Sequence, residues 1–286
     1  MEKHRIAILT DTGTDTPASY IEQYGIYVLP LTIRYSEGEY QDGVNITGKE
    51  VYDRLESEVP QTSLPSGETI DGKFRQIIAD GYTQVLIISL SSGLSGTFNM
   101  LRIMTADYPQ LDCRLVDTKN IGVGAGFTVM EACRLIDQGL ELDEIERRLH
   151  ESAARTKVFF CLATLEYLRK GGRIGMVTAT LGSLLDLKPV ISCNEEGVYY
   201  TVSKAIGRAR SLHTLIKKAT EYAQGGKRYR LAIVNGGAPE EAAATKAAVL
   251  KLLPDSVEVI EGEVGPALGV HTGPGLLGIG IQLLDG

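Results

Sequence analysis

The chain has 286 residues, enough for one large domain or two of ordinary size, each able to bury a core without disulfide or metal staples. Its 36 acidic and 29 basic side chains leave a formal charge of -7, which argues against a nucleic-acid or anionic-membrane surface, because both need concentrated Lys and Arg on one face. A small or neutral partner fits better.

The opening, MEKHRIAILTDTG, carries an apolar run too short for the core of a signal peptide, so the protein is expected in the cytoplasm. That run reads as a first strand ending in the hydroxyl-rich DTGTDTP, followed by a helix over 17–24 and the strand-like IYVLPLTIRY. TGKE at 47–50 is a capping box that predicts a helix over 48–58. TSLPSGETI follows in a predicted loop, then a helix over 69–80 and the strand QVLIISL. This strand ends in SSGLSG at 91–96, and a helix over 97–108 follows. After the strand CRLVD come the glycine-rich GVGAG at 122–126 and helices over 127–138 and 142–152.

The last of these, strongly charged, gives way to the strand KVFFCL, and the domain boundary is placed there: an N-terminal α/β domain over 1–160 and a C-terminal one over 161–286. LEYLRKGGRIG at 165–175 predicts a short helix and a cationic corner built from Arg169, Lys170 and Arg173. Strands KPVIS and VYYTV, a helix over 205–222, strand YRLAIVN, a helix over 239–253 opened by Pro239, and strand SVEVIEG follow. The chain closes with a predicted glycine-rich loop containing His271 and the buried strand LLGIGIQLL. The six glycines and two prolines of 265–284 argue against a membrane-spanning helix there. Alternation of strand and helix predicts an α/β protein with largely parallel sheets. The four cysteines (Cys113, Cys133, Cys161, Cys193) lack CxxC spacing and read as buried free thiols.

Hydroxyl-rich loops at the carboxyl ends of parallel strands converge on a crevice, and a helix starting near Gly96 aims its positive end at Ser92, Gly93 and Ser95, which favours an anion. GLSGT at 93–97 lacks the residue between serine and the second glycine of a G-x-S-x-G elbow, although a triad with His271 and Asp11 or Asp117 can still be drawn. GVGAG does not fit G-x-G-x-x-G, and no phosphate loop is present, so its glycines read as close helix–sheet packing. Asp11, Asp15 and Asp117 are read first as turn or helix caps rather than Mg²⁺ ligands. His271, on flexible backbone, has an imidazole able to donate a hydrogen bond to an acid head group. The cationic corner is open to two readings, a solvated helix end or a contact for an anionic ligand or acidic partner.

Seven stretches together resemble the DegV family, the group that includes the fatty-acid-binding components of bacterial fatty acid kinase. They are ILTDTGTD, TSLPSGETI, ISLSSGLSGTF, VDTKNIGVGAG, LEYLRKGGRIG, LKPVIS and GVHTGPGLLGIG, in the family's order and approximate spacing. Thr12 stands where the family commonly shows serine, and a hydroxyl survives the change. The resemblance implies a two-domain α/β fold with an acyl-chain tunnel near the domain junction. It implies Thr62 and Ser95 as ligands of a fatty acid carboxylate, with Ser92 and the Gly93 amide as close alternatives, His271 beside the head group and Arg173 near the mouth. A neutral cage of this kind needs no buried Lys or Arg, and leaves the carboxylate able to act as a nucleophile. The implied role is a lipid-presenting subunit with no cofactor of its own, serving a separate ATP-dependent fatty acid kinase. An autonomous Ser/His hydrolase or small-molecule kinase, and a lipid sensor or carrier without a kinase, are the alternatives. MVTATLGSLLDL and GPGLLGIGIQLL are candidate tunnel walls.

Overall fold

The computed structural model describes residues 6–180 and 186–284. The first half runs β1 (Ile6–Asp11), α1 (Ala18–Tyr24), β2 (Tyr27–Leu29), β3 (Thr32–Tyr35), β4 (Gly38–Gln41), α2 (Gly48–Arg54), β5 (Gln61–Ser63), α3 (Gly67–Ala79), β6 (Gln84–Ser89), α4 (Thr97–Met104), β7 (Asp112–Asp117), α5 (Val123–Asp137) and α6 (Leu142–Ala154). The second runs β8 (Thr156–Cys161), α7 (Glu166–Lys170), β9 (Val190–Cys193), β10 (Tyr199–Ser203), α8 (Arg208–Ala223), β11 (Tyr229–Gly236), α9 (Pro239–Leu252), β12 (Glu258–Glu263), α10 (Pro266–Thr272) and β13 (Leu276–Leu283).

These strands form three sheets: a parallel one in the order β2-β1-β6-β7, a six-stranded one in the order β10-β9-β8-β13-β11-β12, and a small antiparallel one, β4-β3-β5. The expectation of largely parallel sheets holds only for the first. In the six-stranded sheet β11 and β12 alone pair in parallel, because β13 enters antiparallel to both β8 and β11 and β9 returns to β10 as a hairpin. The architecture is α/β with mixed sheets. β8 straddles the boundary expected at 160/161, and the second sheet begins with it at Thr156.

Helix α5 lies between the two large sheets. Val129, Cys133 and Ile136 pack on Ile8, Leu86 and Ile88 of the parallel sheet, while Val123, Phe127 and Met130 pack on Val158, Phe160, Ala232 and Val234 of the other. Burial of each such side chain contributes about 1.5–3 kcal/mol. The GVGAG glycines bring the helix close: a Cβ on Gly126 would stand 2.6 Å from the Thr14 carbonyl oxygen, and one on Gly124 would stand 3.2 Å from the Val158 Cβ. In β13 the alternation is carried by size, with Gly278 and Gly280 facing the α5 side and Ile279 and Ile281 packing with α8 and α9. On the far face of the parallel sheet, Ile87 and Leu9 meet Phe74, Ile77 and Leu101 of α3 and α4.

The run 26–35 divides at Pro30, so β2 joins the parallel sheet and β3 the small one. Two expected loops are regular structure. Residues 61–63 form the edge strand β5, whose Thr62 pairs with Ile33. Pro266–Thr272 is a helix with proline in its first turn, ended by Gly273 at φ 68°. Leu31, Ile33, Val51 and Leu55 pack on Ala267 and Val270, which docks α10 on the small sheet. All four cysteines are free, and among the described residues no helix is long and apolar enough to cross a membrane.

Candidate functional site

Docking of α10 against the small sheet sets His271, in its last turn, opposite Thr62 on β5. The Thr62 Oγ1 and His271 Nε2 stand 2.6 Å apart, although the two residues are 209 positions apart in the chain. His271 Nδ1 is buried without a partner. An unfilled acceptor is tolerated more readily than an unfilled N–H, so the hydrogen-bond pattern assigns the proton to Nε2, which donates to Thr62. Burial first, and the nearby Arg173 guanidinium second, hold His271 down at about 4, so the ring is neutral at physiological pH. The Thr62 hydroxyl proton is then free for a ligand.

These two residues share a cavity of about 230 Å³ with Ser95, Gly96 and Arg173; Leu31, Leu64, Leu90, Leu94, Ile121 and Leu268 supply its apolar walls. Gly96 precedes α4 and lines the cavity, so the positive end of that helix opens on it beside Ser95. A second cavity of about 30 Å³ shares Ile121, Tyr199 and Leu268 with the first and continues inward past Val158, Phe160, Val234 and Leu276. Arg173 donates to the Gly171 carbonyl oxygen at 2.8 Å and has no carboxylate partner among the described residues. The polar end of the cavity is therefore cationic rather than wholly neutral.

Ser92 and Gly93 are engaged elsewhere. Ser92 Oγ accepts from Lys119 Nζ at 3.0 Å, and the Ser92 amide donates to Asp117 Oδ1 at 3.1 Å. The Gly93 amide donates to Ser91 Oγ, which in turn donates to the Gly197 carbonyl oxygen at 2.8 Å. Ser91, buried and passed over by sequence reading, thus ties the serine loop to the turn between β9 and β10. A Cβ on Gly197 would collide with Ser91 Oγ, and its φ of 77° already disfavours a side chain. Gly197→Ala is expected to lower the unfolding free energy by about 1–3 kcal/mol in urea titrations; an unchanged midpoint would dismiss the contact as unimportant.

Asp11 acts as the cap the sequence suggested, with Oδ1 accepting from the Gly13 amide and Oδ2 from Ser89 Oγ and the Leu90 amide. Since His271 Nδ1 meets no carboxylate and Nε2 meets a threonine, the Ser-His-Asp triad is not assembled among the described residues. Part of the candidate tunnel wall MVTATLGSLLDL, residues 181–185, lies outside the described residues.

Residues 5–283 match the family described as "Uncharacterised protein, DegV family". A DegV domain-containing protein of Clostridium acetobutylicum is 41% identical over 286 residues, covering 98% of each chain. The chain belongs to the DegV family. Among solved DegV structures, one from Thermus thermophilus, described as binding fatty acid, superposes with a TM-score of 0.92 at 31% identity, over 98% of this chain and 100% of that one. A second, Bacillus subtilis DegV, described as a fatty acid binding protein, gives a TM-score of 0.89 at 27% identity over 98% and 100%.

Two residues of this DegV site were not singled out from sequence. Tyr199 lines both cavities, and the period-two alternation of VYYTV was a usable signal for its inward direction. Gly171 lies against the His271 ring, where a Cβ would collide with Nδ1. In RKGGRIG the charges drew attention and the glycine carried the constraint.

Proposed function

We propose that this protein binds a long-chain fatty acid, with its carboxylate against Thr62, Ser95, His271 and Arg173, and presents it to a separate ATP-dependent fatty acid kinase. The observation that carries this reading is the Thr62–His271 pair at the polar end of an otherwise apolar cavity. The description of its DegV neighbours as fatty acid binders supports the same ligand class. His271, neutral and donating through Nε2, orients Thr62, whose hydroxyl proton then points to a carboxylate oxygen. Ser95 and Arg173 supply further donors. Ser92 and Gly93 brace the loop that holds Ser95.

The acyl chain extends along Leu90, Ile121 and Leu268 towards the second cavity, with Tyr199 yielding as it enters. At about 0.8 kcal/mol per buried CH₂, a sixteen-carbon tail gains on the order of 10 kcal/mol before the costs of association, so the head-group contacts chiefly set orientation. On docking with the kinase, a carboxylate oxygen attacks the γ-phosphorus of ATP, the bond from that phosphorus to the ADP oxygen breaks, and acyl phosphate and ADP form. One arginine with hydroxyl donors stabilises the carboxylate without a bidentate buried ion pair that would blunt it as a nucleophile.

Mass spectrometry of an organic extract of the purified protein is expected to find long-chain fatty acid at near one equivalent. Thr62→Ala with Ser95→Ala is expected to weaken oleate binding by about tenfold or more while the protein stays folded, since two hydrogen bonds to a charged group are lost. An empty extract together with no rise in melting temperature on adding oleate or palmitate would overturn the reading.

A further inference from the structure

Helix α10 is held at the end opposite His271 by two carboxylates from distant parts of the chain. The Gly265 amide donates to Asp15 Oδ1 at 3.1 Å, and the Ala267 amide donates to Asp42 Oδ1 at 3.1 Å. Asp15 follows the first strand in left-handed conformation, with φ 41°, a strained position for a residue with a side chain. Asp42 is 1% exposed, and its Oδ2 is buried with no hydrogen-bond partner. Both carboxylates converge on residue 265: a Cβ there would lie 2.8 Å from Asp15 Oδ1 and 3.8 Å from Asp42 Oδ1. They line a cavity of about 170 Å³ together with Thr12, Thr14 and Thr16, and no Lys, Arg or His is among its described walls.

We propose that Asp15 and Asp42 are positioning residues for His271: they fix the first turn of α10, and through that short helix they set the imidazole against Thr62. This role rests on His271 being a head-group contact, as proposed above. A seven-residue helix has little stability of its own, so its pose is dictated by what holds its ends and its buried face. The apolar face is fixed by Ala267 and Val270. The rotation and height of the first turn are fixed by the two acceptors.

Two carboxylates so placed, Asp42 buried and Asp15 half-buried and neither facing a cation, do not both ionise near neutrality. Burial first, then repulsion from Asp42, pushes Asp15 up to about 8, and burial raises Asp42 also. The Thr12 hydroxyl and the Ala267 and Gly265 amides pull the two carboxyls back only in part, and no cation faces them. Asp11 adds negative charge when ionised, Tyr52 of α2 and Tyr199 of β10 are neutral phenols, and Glu263 at the end of β12 is acidic. The folded state therefore holds a proton that the unfolded chain releases near 3.8. Its stabilising effect is complete below that value and is lost as pH rises towards 8. Above about pH 8 the second charge appears beside Gly265, and α10 loosens.

The test combines NMR titration of the ¹⁵N-labelled His271 imidazole with oleate dissociation constants for wild type, Asp15→Ala, Asp42→Ala, Asp42→Asn and His271→Ala. With positioning intact, His271 titrates near 4. In either alanine variant it is expected to move towards the ordinary histidine value, with oleate binding weakened by about tenfold. Asp42→Asn keeps the acceptor for Ala267 and is expected to bind as wild type at pH 7 and to lose the alkaline fall in binding, because no second charge can appear beside Gly265. A titration still near 4 and unchanged oleate affinity in Asp42→Ala would overturn the proposal. If the alanine variants do not fold, an Asp42→Asn alkaline limb identical to wild type overturns it instead. Wild-type oleate affinity in His271→Ala would remove the head-group reading, and the NMR titration would still decide whether the two acids position the ring.

Discussion

Gly171→Ala is expected to weaken fatty acid binding by about a hundredfold while the protein melts within a few degrees of wild type. The backbone at 171 is right-handed, with φ -78°, so alanine meets no conformational penalty there. The added methyl has nowhere to go, because it collides with His271 Nδ1, and the ring must swing away from Thr62. The neighbouring Gly172 is the matched control. It sits at φ 70° with open space around it, so Gly172→Ala is expected to cost about 1 kcal/mol of stability and leave binding alone. Isothermal titration with oleate and thermal melts separate the two patterns. Equal binding by both variants would show that the His271 ring position does not matter to the ligand.

Glu131→Ala is expected to be the more damaging to the fold, lowering the unfolding free energy by about 3–5 kcal/mol. Glu131 projects from α5 and pairs with Arg230 of β11 at 3.1 Å, each side chain 8% exposed. Arg230 also donates to Gln282 of β13 at 2.7 Å and to Glu258 of β12 at 3.0 Å. Removing the carboxylate leaves a buried guanidinium short of one partner in the layer between helix and sheet. Replacing both members, Glu131→Met with Arg230→Met, is expected to recover much of the loss, because the unpaired charge goes with its partner. Urea unfolding of the single and double variants measures this. A double variant as unstable as the sum of the singles would mean that the pair is not energetically coupled.

Much of the first half was legible because its signals are local. The TGKE box caps α2 with Thr47 and Glu50 as the spacing requires, and both faces of QVLIISL are buried, as a continuous apolar run in a parallel sheet demands. His271 was picked out as a head-group candidate although its segment was read as a flexible loop, since GPALGVHTGPG contains residues that favour turns. The helix there depends on Asp15, Asp42 and the small sheet, none of which lies nearby in sequence. Thr62 was found by family resemblance, and its strand was missed because three residues are too few for a periodic pattern. The choice among Ser92, Gly93 and Ser95 was closed to sequence for a similar reason. Lys119 and Asp117, which occupy Ser92, and Gly197, which holds the Ser91 hydroxyl that the Gly93 amide donates to, come from elsewhere in the chain. Antiparallel entry of β13 was hidden because a glycine-alternating strand carries no mark of direction.

The position of β13 governs how the protein is assembled. It separates β10-β9-β8 from β11-β12, so neither group reaches the other until that strand has been inserted. Its contact with β8 joins Leu277 to Cys161, residues far apart in the chain, and closing so long a loop is slow compared with forming a helix or hairpin. Until it is inserted LLGIGIQL, apolar but for Gln282 and free of charge, is an unpaired strand, and the β8 and β11 edges that it covers are unpaired with it. Aggregation during refolding should therefore begin at this strand and rise steeply with protein concentration, while the finished protein, with β13 in place, is protected from the same fate.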